Sequence, residues 1–178
     1  MARSFVSNVL RGWDESPSSV SEAPDRDTVG RMPRPLRQNL PDGIYHVTAR
    51  GVDRDAVFCD DADRMLFLRL LSETVDRHKW ICHAFCLMGT HYHLVVETSQ
   101  ATLSRGLHRL NGLYAQLFNR RHGRSGHLFG GRFLAWVLDD EEHFRNACDY
   151  VAQNPVRAGL CRQAEDWPWS SARPRESR

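Results

Sequence analysis

The chain has almost no lysine: Lys79 stands alone, and the rest of its 24 basic side chains are arginine. Arginine matches phosphate and carboxylate bidentately where lysine offers a point charge, although arginine-favouring codon usage gives the same ratio. Acidic residues are missing from one long segment. Between Thr98 and Leu138 there is no Asp or Glu, while Arg105, Arg109, Arg120, Arg121, Arg124 and Arg132 supply six positive charges. Since the net charge is only +2, the remainder of the 178 residues is about four units negative. Also lacking is any apolar run near the roughly 20 residues that cross a bilayer as a helix, which excludes a helical membrane span. Met1 to Trp13 contain no apolar block of secretory type. The five cysteines, Cys59, Cys82, Cys86, Cys148 and Cys161, are odd in number and scattered. They make no disulfide framework and read as reduced thiols of a cytoplasmic protein.

What remains is an ordinary globular composition, 41% hydrophobic and 26% charged. Residues 1–41 are punctuated by Ser and Pro without hydrophobic periodicity and read as a disordered tail. One domain is expected over 42–172, with a short tail over 173–178. Gly43 to Ala49 suits a strand, and Asp60 or Asp61 starts a helix to about His78. Trp80–Met88 and His91–Glu97 read as a hairpin turned by Gly89-Thr90. In the next helix, about Leu103 to Phe118, Leu103, Leu107, Leu110, Tyr114 and Leu117 form one narrow stripe, with Arg105, Arg109 and Arg120 opposite. A glycine-rich basic loop leads to a strand at Phe133–Leu138. A last helix then starts at the acids 139–142 and is expected to end or break at Asn154-Pro155. The order β-α-β-β-α-β-α fits an α+β, ferredoxin-like split β-α-β sandwich, an antiparallel sheet with helices on one face.

His91-Tyr92-His93 lies on the third strand, where residues two apart share a face at roughly 7 Å, within reach of one metal ion. Two imidazoles do not fill a coordination sphere, so a third ligand is required. On the last helix, Tyr150 and Asn154 fall on one flank one turn apart, with His143 two turns earlier. A tyrosine beside a metal can act as a nucleophile. Periodicity by itself nevertheless favours a boundary tyrosine with its hydroxyl in water.

Six blocks in order change that weighting. Gly43-Ile-Tyr-His-Val-Thr-Ala-Arg-Gly51, the segment Ala84 to Glu97, Phe118-Asn-Arg-Arg-His-Gly123, Gly126-His-Leu-Phe-Gly-Gly-Arg-Phe133, Asp149 to Gly159 and Trp167-Pro-Trp-Ser-Ser171 resemble the single-tyrosine HUH transposases. The likeness is greatest to the bacterial REP-associated tyrosine transposases. The resemblance implies an HUH transposase fold that binds single-stranded or hairpin DNA as a monomer or homodimer. It also implies a Mg²⁺ or Mn²⁺ ion on His91, His93 and Asn154. Tyr150 would be the nucleophile, leaving a 5′-phosphotyrosine and a free 3′-hydroxyl that are rejoined without ATP.

Two features depart from the family pattern. Gly89-Thr90 replaces a Pro-Asn pair before the first histidine, and Pro155 threatens to mis-aim Asn154. The rival nucleophile, Tyr114, sits in an apolar stripe and should face the core. Cys82, His83 and Cys86 suggest zinc, but on a strand the two thiols share a face about 13 Å apart, too far for one ion. His46 reads as packed or hydrogen-bonded rather than ligating. Arg105, Arg109, Arg120, Arg121, Arg124 and Arg132 are the DNA-binding candidates, with Phe129, Phe133 or Trp136 to stack a base. Trp167 and Trp169 read as packing anchors. An alternative is a domesticated, non-catalytic binder of hairpin DNA or RNA, and another is a metal-dependent hydrolase without a covalent intermediate.

Overall fold

The computed structural model describes residues 40–99 and 101–172. The expected tails, apart from residues 40 and 41, lie outside these. The element order is β1 (Gly43–Arg50), α1 (Asp61–His78), β2 (Ile81–Leu87), β3 (His91–Thr98), α2 (Leu103–His122), β4 (Leu134–Val137) and α3 (Glu141–Arg157). Short 3₁₀ turns follow β1 and α3. The strands form one antiparallel sheet in the order β2-β3-β1-β4, so the expected α+β class holds. Among the described residues no helix is long and apolar enough to cross a membrane.

Helix ends follow local chemistry. Asp60 caps α1 by accepting a hydrogen bond from the Asp63 N–H, and Asp140 caps α3 by accepting one from the His143 N–H. The α2 helix runs a turn past Phe118 and stops at Gly123, which takes the left-handed conformation that a C-terminal glycine adopts freely.

The helices do not all share one face. Neighbouring residues on β3 project to opposite sides. The Tyr92 ring packs 4.7 Å from Phe67 of α1, and its hydroxyl donates to Asn111 of α2. His93, next in the chain, meets Tyr150 of α3 instead. Helices α1 and α2 therefore cover one face and α3 the other. Nearly all of β3 is buried, so both faces of the sheet need cover.

A bulge between Cys82 and Ala84 changes the reading of β2. Cys82 pairs opposite Val96 and Cys86 opposite His93, so the two thiols lie on opposite faces, not one. Burial raises both, Cys82 to about 12, as for inert core thiols.

The outer edge of β2 is closed by the last described segment. Leu87 N–H donates to Trp169 O, Ser171 N–H to Phe85 O, and the Trp167 indole to Leu87 O. Trp167 and Trp169 are buried, and the Arg64 guanidinium lies over both rings. They are the anchors expected, and they remove an edge that would otherwise pair with another chain.

Candidate active site

The β1–β3 register sets Thr48 opposite His93 and Arg50 opposite His91, so His46, Thr48, Arg50, His91 and His93 share the face beneath α3. His91 and His93 are 2% and 4% exposed, with ring centroids 5.0 Å apart. His91 turns its Nδ1 to the Thr90 hydroxyl at 3.0 Å. Thr90, one of the two residues that depart from the family pattern, thus orients the first histidine. His93 turns its Nδ1 to His46 Nε2, also at 3.0 Å, while its own Nε2 is buried and makes no hydrogen bond. Burial holds His93 well below the ordinary histidine value, helped by His91, His46 and Arg50, so the ring stays neutral at physiological pH.

That buried nitrogen is the test of fit for a metal. A polar atom with no partner inside a protein is unfavourable, and a neutral imidazole lone pair is what a divalent transition ion takes.

The expected third ligand and nucleophile come from α3. Tyr150 is half-buried, edge-on to His93 and His46 with centroids 5.6 and 5.7 Å away. The guanidinium of Arg157 lies 4.8 Å from its ring centre. Asn154 is 7% exposed, and its Nδ2 donates to the Tyr150 carbonyl at 3.0 Å, which makes Oδ1 the acceptor end of the amide. Contrary to expectation, Pro155 does not end the helix. It is the fifteenth of the 17 helical residues, and α3 continues to Arg157 with Asn154 still on its buried side. His143 stays out of the site, exposed and bound to Asp139 and Asp140 at the helix start.

Tyr114 lies on the opposite face. It is fully buried, donates to Val57 O at 2.5 Å, and has its ionisation suppressed by burial. It is a core residue, as its stripe implied.

The six arginines divide. Arg105, Arg109, Arg120 and Arg132 are exposed, and among the described residues none has an ion-pair partner. Arg121 is held by Asp60 and Asp63 at 2.6 Å each, and Arg124 by Asp55 at 3.1 Å. Arg105 and Arg109 lie opposite the buried stripe of α2, pointing away from the sheet and from Tyr150. Arg132 lines a groove of about 420 Å³ between α2 and the following loop, with His108, Asn111, His127 and Phe133. Phe129 and Phe133 are mostly buried, and half-buried Trp136 leans on His46 at 5.4 Å.

Among the described residues, two other groupings carry metal-ligating atoms close together: Cys59, Asp63 and His122, and Asp139, Asp140 and His143. The Asp63 carboxylate is already saturated by Arg121, His122 and the Cys59 N–H, and the second grouping is an exposed helix cap. Sequence reasoning missed the roles of Arg50, Thr90 and the His46 contact. All three lie within the first two family blocks, which was the one signal they carried.

The family described as Transposase IS200 like matches residues 39–154. A Haemophilus influenzae protein assigned as a REP-associated tyrosine transposase is 25% identical over 140 residues, which cover 72% of this chain and 79% of that protein. The solved structure of a REP-associated tyrosine transposase bound to a REP hairpin superposes with a TM-score of 0.65 at 17% identity, over 79% of this chain and 82% of the other. A Deinococcus radiodurans R1 protein assigned as a transposase gives 0.46 at 19% identity, over 68% and 96%.

Proposed function

Because the chain belongs to the IS200-like transposase family, we propose that it nicks and rejoins single-stranded or hairpin DNA through a 5′-phosphotyrosine on Tyr150. The observation that carries this reading is the contact of the Tyr150 ring with His93, which sets a phenol beside a buried histidine pair. Neither a hairpin binder nor a simple hydrolase needs that phenol.

His91, His93 and Asn154 would hold a divalent ion, Mn²⁺ or Mg²⁺, which when bound would polarise the scissile phosphate. The remaining steps belong to the chain's own residues. Tyr150 Oη bonds to phosphorus and gives up its proton, while the P–O3′ bond breaks and the leaving 3′-oxygen takes up a proton. One phosphodiester is exchanged for another, so the reverse attack by a 3′-hydroxyl reseals the strand without ATP. Arg157 fixes the attacking ring, and Arg50 adds a positive charge on the same face. The exposed arginines Arg105, Arg109, Arg120 and Arg132 would hold DNA backbone that reaches past the edge of the sheet, by phosphate contact. Arg121 and Arg124 contribute to folding instead, each through its carboxylate partner.

The test is incubation with 5′- and 3′-labelled hairpin oligonucleotides and Mn²⁺, read on a denaturing gel. The expected product is a covalent adduct, lost with EDTA and in Tyr150→Phe. Cleavage without an adduct would mean a hydrolase, and binding without cleavage a domesticated DNA-binding protein.

A further inference from the structure

We propose that His46 is a positioning residue that fixes the proton of His93 on Nδ1, so that Nε2 is the nitrogen offered to the metal. The inference rests on the metal site proposed above.

A nitrogen-to-nitrogen contact of 3.0 Å between two imidazoles is a hydrogen bond, and one ring must donate while the other accepts. Two arrangements are available. If His46 donates from Nε2, neutral His93 carries its own proton on Nε2. That N–H is then buried without an acceptor, and its lone pair is lost to any metal. If His93 donates from Nδ1, only a lone pair is left at Nε2, and an ion placed there satisfies it. Buried N–H groups without partners are the rarer defect in proteins. The second arrangement therefore fits the metal-free site and the loaded one alike.

The fold holds His46 in place to accept. It stands on β1 opposite Val95, on the face of the sheet that carries His93. Its ring is stacked on His93 at 5.2 Å and lies between Trp136 at 5.4 Å and Tyr150 at 5.7 Å. His46 is half-buried and, among the described residues, leaves no buried nitrogen without a partner, so its proton can sit on Nδ1. Partners of this kind orient metal-binding histidines and set which nitrogen ligates.

The experiment uses the full chain. Mn²⁺ affinity is measured by calorimetry for wild type, His46→Phe, His46→Gln and His93→Ala. Phenylalanine keeps an aromatic ring between Trp136 and Tyr150 but accepts nothing, whereas glutamine restores an acceptor oxygen. The expectation is about 10- to 100-fold weaker binding for His46→Phe, recovery of most of that loss for His46→Gln, and no site binding for His93→Ala. If His93→Ala abolishes binding and His46→Phe binds like wild type, the role of His46 is overturned and the site stands. If His93→Ala binds normally, the metal site itself fails. The ¹⁵N–¹H spectrum of the metal-free wild type then decides separately. A His93 proton on Nδ1 supports the His46 bond as drawn, and one on Nε2 overturns it, even where His46→Phe does not fold.

Discussion

The side-chain amide of Asn154 donates to the backbone carbonyl of Tyr150 across 3.0 Å, inside a helix that continues through Pro155. The carbonyl one turn back from Asn154 is the one its own N–H would meet in an undisturbed helix. The side chain thereby tethers itself beside the proline and leaves Oδ1 as the acceptor end. Asn154→Ala is expected to weaken Mn²⁺ binding at least tenfold. Asn154→Asp keeps a ligand oxygen and should retain binding while losing the tether. Calorimetry on both variants, with helicity by circular dichroism, checks this; equal affinity in Asn154→Ala would remove Asn154 from the site.

Tyr150 and Tyr114 should respond oppositely to loss of the hydroxyl. Tyr150→Phe is expected to abolish the covalent adduct and to change stability by no more than about 0.5 kcal/mol, since the residue is only half-buried. Tyr114→Phe leaves the Val57 carbonyl without its buried donor. It should cost about 1–3 kcal/mol of stability and keep the adduct. Urea unfolding and a denaturing gel read both; an adduct in Tyr150→Phe would reverse the assignment.

Arginine substitutions should sort by ion pairing. Alanine at Arg105, Arg109, Arg120 or Arg132 is expected to weaken hairpin binding and to flatten its salt dependence by about 0.7–0.9 in log–log slope for each phosphate no longer neutralised. Arg121→Ala should instead lower the unfolding midpoint, because Asp63 is fully buried and loses its guanidinium partner. Binding titrations at several salt concentrations separate the groups. A full salt slope in Arg132→Ala would exclude that residue from phosphate binding.

Acid should loosen the clamp between the start of α1 and the end of α2. The hydrogen bond from Arg121 holds the Asp60 carboxyl below the ordinary carboxylate value, against a smaller opposing effect of burial. The unfolded chain therefore takes up this proton first as pH falls. The contribution is present above about pH 4 and is lost as pH drops through the lowered folded value. Asp60→Asn should show a shallower fall of the urea midpoint between about pH 5 and 3. An unchanged slope would mean that Asp60 does not couple to folding.

Gly106 of α2 meets Trp80. A Cβ placed there would lie 2.4 Å from the indole, whose N–H is fixed by Thr102. Helix propensity alone predicts a gain of about 1 kcal/mol for Gly106→Ala. Overpacking is expected to win, with a net loss of about 1–3 kcal/mol in urea unfolding. A stabilised variant would show that Trp80 yields easily.

Most elements were legible because they rest on local chemistry. The buried stripe of α2 follows from spacing, and the acids at 60–61 and 139–142 marked where α1 and α3 start. Alternation along β3 placed both histidines on one face, and a helical period of 3.6 put Tyr150 and Asn154 on one flank. Two local inferences misled. The proline rule ended α3 too early: Pro155 is the fifteenth of 17 helical residues and removes from the ladder only its own N–H, the one that Val151 O would accept, so the last turn still forms. Strict alternation put Cys82 and Cys86 on one face, where a bulge at His83 separates them.

Outside the bulge of β2, the sequence by itself determined which side chains share a face of an element, because residues a few positions apart are related by strand and helix periodicity. Only the tertiary structure decided which faces meet. His46 and His93 are 47 residues apart and join through the register of β1 with β3. Arg121 looked like a free cation until α1 brought Asp60 and Asp63 to it. The side of the sheet taken by α3 was also undetermined locally. Both faces of β3 are buried, one lined by Tyr92, Leu94 and Val96 and the other by His91, His93 and Val95, and the choice that sets Tyr150 over His93 depends on the packing of the whole chain.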